Sequence, residues 1–409
     1  MSAWQLVPGN RWDLLAPAPV PTVTVVVTHY EQPVQLARTL AALERQTRPV
    51  EQVVVSDDGS TTPPVVPPGV RLVRQEDRGF RAAAARNHGA AGATGDVLVF
   101  LDADTVPEPG FVEALVQRAA ASPDVLAVGR RRHADLSGDG SELPEPQWLV
   151  DGYGATRDLL HADGRSFRYV ISAVLALRRE LFVDLGGFDE RFVGYGGEDW
   201  DLGYRAWNAG AVLVHERDAV AWHDGPDWAG RPGERADKEA ETARLAAVIP
   251  EPLTRGVPLP AQLPDVLVDL PVHDPRAVTA LLRSSHRDLQ VRVPDAGGLH
   301  TAAVRTEPWT ADQLARARVR IQLEEPVALA PDVVARAVRR LTDDGLGEVV
   351  LRARGRRVGT ATSSRAAGRA QRGAGRADDV VGRCFGRGEL AVAVVPPRDD
   401  LAGFLAAPW

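Results

Sequence analysis

Three acidic clusters have the types and spacing to manage a cation, an anionic ligand and a proton: Asp57-Asp58, Asp102-Ala103-Asp104 and Glu198-Asp199. Asp102 and Asp104 follow the apolar run FL, and alternate residues of extended backbone point to the same side. One of these carboxylates can bind a divalent cation directly, and the other can bind the cation or a ligand hydroxyl. Mg²⁺ and Mn²⁺ favour such oxygens and complete their shell with phosphate. An acidic pair after a strand is often only a solvated turn, so its place directly after Phe100-Leu101 is what gives it weight. Glu198 and Asp199 follow Gly196-Gly197 and open a helical stretch. The helix dipole alone favours carboxylates there, while the glycines let backbone approach a ligand closely. Arg81 and Arg86 flank an alanine run, and the guanidinium fork matches phosphate oxygens.

The elements that must position these groups are strands alternating with helices. PTVTVVVTH (21–29), VVVS (53–56), a short run at 70–73 and DVLVFL (96–101) are β-branched or apolar runs of the kind buried on both faces of a parallel sheet. Leu36, Leu40 and Leu43 share one helical stripe after Pro33. A second, alanine-rich helix is expected near 81–93. This alternation predicts an α/β fold with a mainly parallel sheet, and ligands of such sheets bind beyond the carboxyl ends of the strands. Residues 130–168 lack periodicity and read as a mobile or acceptor-facing segment, before strand character returns at 169–177. The proline-rich stretch before residue 265 divides the chain into an N-terminal extension (1–20), a first domain (21–248), a linker (249–264) and a smaller C-terminal α/β domain (265–409).

Taken together, VVVTHYEQPVQLARTLAAL, QVVVSDDGST, DRGFRAAAARNHGAAGATGDVLVFLDAD and GGFDERFVGYGGEDWDLGYR resemble the inverting family 2 glycosyltransferases of GT-A fold. The GFRAAAARN and GYGGEDWDLGYR stretches are similar to the branch with chondroitin polymerases and beta-1,4-galactosyltransferases. The resemblance covers just over half the chain. It implies a metal-dependent transfer of a sugar from a nucleotide-sugar donor, with UDP favoured, to a hydroxyl of a glycan or small-molecule acceptor. It implies donor contacts at Thr28, Tyr30, Glu31, Asp57, Arg86 and Asp102, and a Mn²⁺ or Mg²⁺ ion on Asp102, Asp104 and His223. Asp199 becomes the general base, with Glu198 beside it, and Gly197 and Trp200 face the acceptor. A catalytically silent sugar-nucleotide-binding scaffold or sensor is the competing reading, and the intact acidic clusters weigh against it.

The bulk numbers narrow the field further. A net charge of −7 gives no footprint for nucleic acid. The single cysteine, Cys384, rules out an intramolecular disulfide and a cysteine-rich metal site. No run is long and apolar enough to span a bilayer, and the first residues lack a secretory pattern, so a cytoplasmic protein is expected. The sole lysine, Lys238, lies far from the first strand, unlike the glycine-rich loop lysine of nucleotidyltransferases. Finally, LEEPVALAPDVVARAV (323–338) aligns without a gap on LDADTVPEPGFVEALV (101–116), setting Glu324, Glu325 and Pro326 against Asp102, Ala103 and Asp104. DVLVDLPVHDPRAVTALL likewise echoes VTVVVTHYEQPVQLARTL. The C-terminal domain reads either as a degenerate repeat of the first that has lost its metal and donor chemistry, or as βα units whose Ala and Val content alone makes them align; a different strand order would end the first idea.

Overall fold

In the computed structural model, residues 5–19, 21–226, 234–256, 263–297, 301–373 and 379–395 are described. They form two compact units, 1–207 with 211–244, and 245–409 with 208–210.

The first unit is built on strands β1 (Val23–His29), β2 (Gln52–Asp57), β3 (Arg71–Arg74), β4 (Val97–Asp102), β5 (Thr105–Pro107), β6 (Val125–Ala134), β7 (Glu142–Leu143), β8 (Val174–Arg178) and β9 (Val212–Asp224). Their order is β3-β2-β1-β4-β8-β6-β9-β5, with β7 on the side of β6. The first four strands are parallel, β8 is antiparallel to both neighbours, and β6 and β9 are again parallel. Val23, Val25, Val26 and Val27 of β1 and Val97 to Leu101 of β4 are all inaccessible to solvent, as expected of central strands covered on both faces. Helices α1 (Pro33–Leu43), α2 (Ala82–Ala91), α3 (Phe111–Ala120), α4 (Gln147–Thr156), α5 (Arg179–Asp184), α6 (Glu198–Asn208) and α7 (Glu234–Val248) supply the layers and the loops.

Two readings of the sequence need correction. Residues 130–168 are not structureless: they hold the end of β6, β7, α4 and the start of a short 3-10 turn at Ser166–Tyr169. Apolar periodicity missed them because α4 buries only Leu149, Gly152 and Tyr153. Strand β8 begins at Val174 rather than 169, since that turn takes up the preceding residues. The N-terminal extension also packs on the unit. Val7 is buried, and the Asn10 side chain donates to the carbonyls of Leu159 and Leu213 at 2.6 and 2.8 Å.

The second unit carries helix α8 (Pro252–Arg255) inside the stretch read as a linker, of which 257–262 lie outside the described residues. Then follow β10 (Val266–Asp269), α9 (Pro275–Leu282), β11 (Leu289–Arg292), β12 (Val304–Arg305), α10 (Ala311–Arg316), β13 (Val319–Leu323), α11 (Val333–Thr342), β14 (Glu348–Ala353), β15 (Arg356–Ser363), α12 (Ser364–Gly373), α13 (Val380–Cys384) and β16 (Arg387–Ala391). Its sheet runs β12-β11-β10-β13-β15-β14-β16 over a separate core that includes Val268, Val291, Ile321, Val334 and Leu351.

Helix α2 lies against the sheet at contact distance because its inner face is alanine and glycine. A Cβ built on Gly89 would stand 2.4 Å from Cγ1 of Val26. Gly89→Val should therefore force α2 off β1 and cost about 1–3 kcal/mol. In urea the midpoint should fall with the m-value unchanged. Gly110→Ala, where a Cβ meets nothing within 4 Å, should leave the midpoint in place.

Candidate functional site

Parallel order brings the carboxyl ends of β1, β2 and β4 side by side, with Thr28 opposite Asp102 and His29 opposite Asp57 in register. Helix α2 begins beside this edge, where the Arg81 amide donates to Asp58, and carries Arg86, which is 4% exposed. Its Nη2 donates to Oδ1 of Asp102 at 2.9 Å and its Nη1 to Oε1 of Glu198 at 2.8 Å. One guanidinium thus ties the β4 end to the first turn of α6, and the Phe188 ring packs 5.4 Å from its Cζ. Arginine suits this place because its planar fork can serve two carboxylates at once while remaining charged.

Asp104 has partners different from those of Asp102. It accepts from Nε2 of Gln32 at 2.9 Å, and its Oδ2 lies 3.7 Å from Nε2 of His223. His223 reaches this corner because β9 pairs antiparallel with β5, setting His223 opposite Thr105. The imidazole Nδ1 donates to the Gly225 carbonyl at 3.1 Å, which turns the Nε2 lone pair towards Asp104. A histidine whose second nitrogen is tied to a backbone carbonyl is the usual arrangement of a metal ligand. Among the described residues, no group of three or more His, Cys, Asp or Glu side chains is assembled to hold a metal. The arrangement is a carboxylate–imidazole pair, with Asp102 turned to Arg86. Such a donor set fits a hard cation that takes further ligands from phosphate.

Asp199 is the most perturbed group of the site. Its pKa is raised to about 7, by burial first and then by the charges of Glu198 and Glu241, with Arg86 and the Trp200 amide pulling against them. That amide donates to Oδ1 of Asp199 at 2.8 Å. The backbone before it is left-handed at Gly194, Gly196 and Gly197, with φ of 94°, 80° and 97°. At Gly196 a Cβ would press on the Glu241 carboxylate, so glycine is required there for both reasons. A carboxyl poised near neutrality beside an ion-pair network is a candidate proton acceptor.

The remaining residues singled out in the sequence fall at varied distances from this centre. The Thr28 hydroxyl is buried at the end of β1 and has no hydrogen-bond partner among the described residues. Asp57 is fully buried and already engaged. Burial alone would raise its pKa, but bonds from Ser60, His29 and Arg74 hold it below the usual range. Glu31 accepts from the Thr61 amide at 2.6 Å, and Tyr30 is exposed at the rim. Asp58, read as structural, accepts from the Arg81 amide at the start of α2. Gly197 precedes Glu198, and the Trp200 ring meets Trp148 and Phe167 edge-on, with centroids 6.2 and 6.3 Å apart. Lys238 stands over that ring and pairs with Glu241 at 2.7 Å.

Several neighbours escaped sequence reasoning. Gln32 carried no signal in the sequence. His133 lies opposite His223 in the β6–β9 register, with rings 4.8 Å apart, and only knowledge of that pairing could have flagged it. Trp148 lies in the stretch whose lack of periodicity left it unassigned, and Glu241 is brought to the site by helix α7.

The model of glycosyl transferase family 2 matches residues 24–186, and one described as the N-terminal domain of galactosyltransferase matches 159–216. Validoxylamine A glucosyltransferase of Streptomyces hygroscopicus subsp. jinggangensis is 34% identical over 231 residues, covering 49% of this chain and 54% of that protein. Hyaluronan synthase of Pasteurella multocida is 29% identical, with 55% and 26% covered, and chondroitin synthase of Escherichia coli 28%, with 55% and 36%. The chain spans about half the length of the first of these relatives and less of the others. Among the described residues, no helix is long and apolar enough to cross a membrane. Residues 24–186, which carry Asp57, Arg86, Asp102 and Asp104, match the model of glycosyl transferase family 2, while Glu198 and Asp199 fall in the second match and His223 lies beyond both.

Proposed function

We propose that the first unit transfers a sugar from a nucleotide sugar, with UDP the favoured nucleotide, to an acceptor hydroxyl with inversion at the anomeric carbon. The observation that carries this reading is the double contact of Arg86, which draws Asp102 and the Glu198-Asp199 turn to one place. Two further features support it: the raised pKa of Asp199 and the pairing of Asp104 with a backbone-oriented His223.

Asp199 accepts the proton of the acceptor hydroxyl as that oxygen attacks the anomeric carbon. The bond to the diphosphate oxygen breaks on the opposite face, so the configuration inverts. Glu198 holds Arg86 and raises the basicity of Asp199 by its charge. Asp104 and His223, with Asp102 in reach of the same edge, would hold Mn²⁺ or Mg²⁺, which offsets negative charge on the departing diphosphate. Thr28, Tyr30, Glu31 and Asp57 border the place for the nucleotide, and Gly197 and Trp200 the place for the acceptor. An aromatic face such as that of Trp200 suits the apolar side of a pyranose ring.

The decisive experiment is transfer from UDP-sugars by the Asp199→Asn variant. Turnover should fall by about 10²–10⁴-fold, with donor affinity kept within a few-fold. Transfer at the wild-type rate would remove Asp199 from its role. In the wild type, kcat/KM should rise tenfold per pH unit below about 7 and level off above it, following ionisation of Asp199.

Stability should show the mirror image. A carboxyl with a raised native pKa binds its proton more tightly in the folded state, so the native state loses stability as pH climbs from about 4 to about 7. Asp199→Asn removes that loss. Its Tm advantage over the wild type should be absent near pH 4 and full at pH 8, and an equal advantage at both would contradict burial of the charge.

His223→Ala should raise the Mn²⁺ concentration needed for half-maximal activation by on the order of 10–100-fold, as loss of metal-site partners does elsewhere. A Mn²⁺ titration of the donor-induced Tm shift measures it. An unchanged midpoint would place the ion elsewhere.

A further inference from the structure

We infer that the second unit is a second copy of the fold of the first whose metal corner has been replaced by arginine ion pairs, so that the chain carries one donor site and not two. The designation of the first unit's site as a donor site rests on the function proposed above. The repeat itself does not.

The sheets correspond strand by strand. Written in space, β3-β2-β1-β4-β8-β6-β9 maps onto β12-β11-β10-β13-β15-β14-β16. The senses agree at every neighbour: parallel through the first four strands, antiparallel on both sides of the fifth, and parallel in the last pair. Any two βα units share parallel neighbours. The single reversed strand in fifth place, and the two strands beyond it, are not dictated by that generality. Even the eighth strand has its remnant, since β5 pairs antiparallel with β9 at Pro107–Ala221 and the second unit keeps one antiparallel bridge at Leu329–Val394.

Details in the backbone agree with a single alignment. Helices α3 and α11 have ten residues each, starting at Phe111 and Val333, as the gapless match of 101–116 with 323–338 requires. The Thr47 amide donates to the Pro109 carbonyl at 2.8 Å, and Ser285 to Pro331 at 2.8 Å. Glu108 donates to Val220 at 2.9 Å, and Ala330 to Ala393 at 2.9 Å. In register, Thr24 stands between Gln52 and Leu98, and Leu267 between Gln290 and Arg320. That sets QVRVPDAG (290–297) on QVVVSDDG (52–59), with glycine at positive φ closing both.

The chemistry, however, is gone from the copy. Glu324 stands for Asp102 and bonds Nε of Arg357 at 2.5 Å, while Glu325 bonds Arg356 at 2.6 Å. Pro326 replaces Asp104 in the aligned sequence. Helix α13, in the place of α6, opens on Asp379, whose carboxylate caps Gly382 and pairs with Arg387 at 2.8 and 2.9 Å. Arginines at the retained carboxylates repel a cation where the first unit offers Asp104 and an imidazole.

Two measurements test this. A crystal structure of the full chain should reproduce the matched order and senses of both sheets, and any difference in order overturns the repeat. Calorimetric titration of the full chain with UDP in saturating Mn²⁺ should give one site, abolished in the Asp104→Asn/His223→Ala double variant. Two sites, or one that survives in the double variant, would overturn the loss of the second. Absence of binding in the wild type would count against the donor site of the first unit while agreeing with a second unit that has none.

Discussion

The site depends on a cation that the protein supplies itself. Asp102, Glu198 and Asp199 are three carboxylates drawn to one edge of a sheet, and without a buried positive charge among them they would repel and solvate apart. Arg86 provides that charge from a helix whose inner face is stripped to alanine and glycine, close enough to the sheet for a guanidinium to reach both neighbours. A buried pair of this kind adds little to net stability, because desolvation consumes most of the Coulomb gain. What it does is fix geometry. Loss of either carboxylate would leave the guanidinium buried and uncompensated, a far greater cost than the pair is worth.

The same device gives Asp199 and Asp104 separate surroundings. Asp102 and Glu198 take the guanidinium, while Asp199 sits beside Glu198 and accepts from the Trp200 amide, and its proton is held more tightly. Asp104, beyond reach of Arg86, is free to pair with His223 through the β5–β9 ladder. Acidic residues two apart in sequence thereby face different partners, which a spacing rule for extended chain would not suggest.

Much of this was legible in the sequence. The apolar runs gave β1, β2 and β4 to within a residue or two, and their ends located Asp57 and Asp102 at the sheet edge. Glycines before Glu198 marked a loop that a side chain would block. Less legible was everything decided by contacts between distant segments: the reversal of β8, the ordering of 130–168 around α4, the support of Asp104 by Gln32, and the placing of His133 against His223. That Arg86 bonds both Asp102 and Glu198 is likewise a contact only the fold reveals. The repeat was visible as a faint echo, since strand order outlasts sequence: backbone pairing tolerates any side chain that fills the same volume, whereas a metal corner tolerates very few.

The bond from Arg86 to Glu198 joins residues 112 apart in the chain. Closing so long a loop demands chain entropy that no local element repays, and slow, late assembly is the general fate of such contacts. Strands β1 to β4 can pair and bury their valines before α6 arrives. The crevice is thus the part of the molecule that reports completion of folding, and partial unfolding would silence it while most of the sheet still stood.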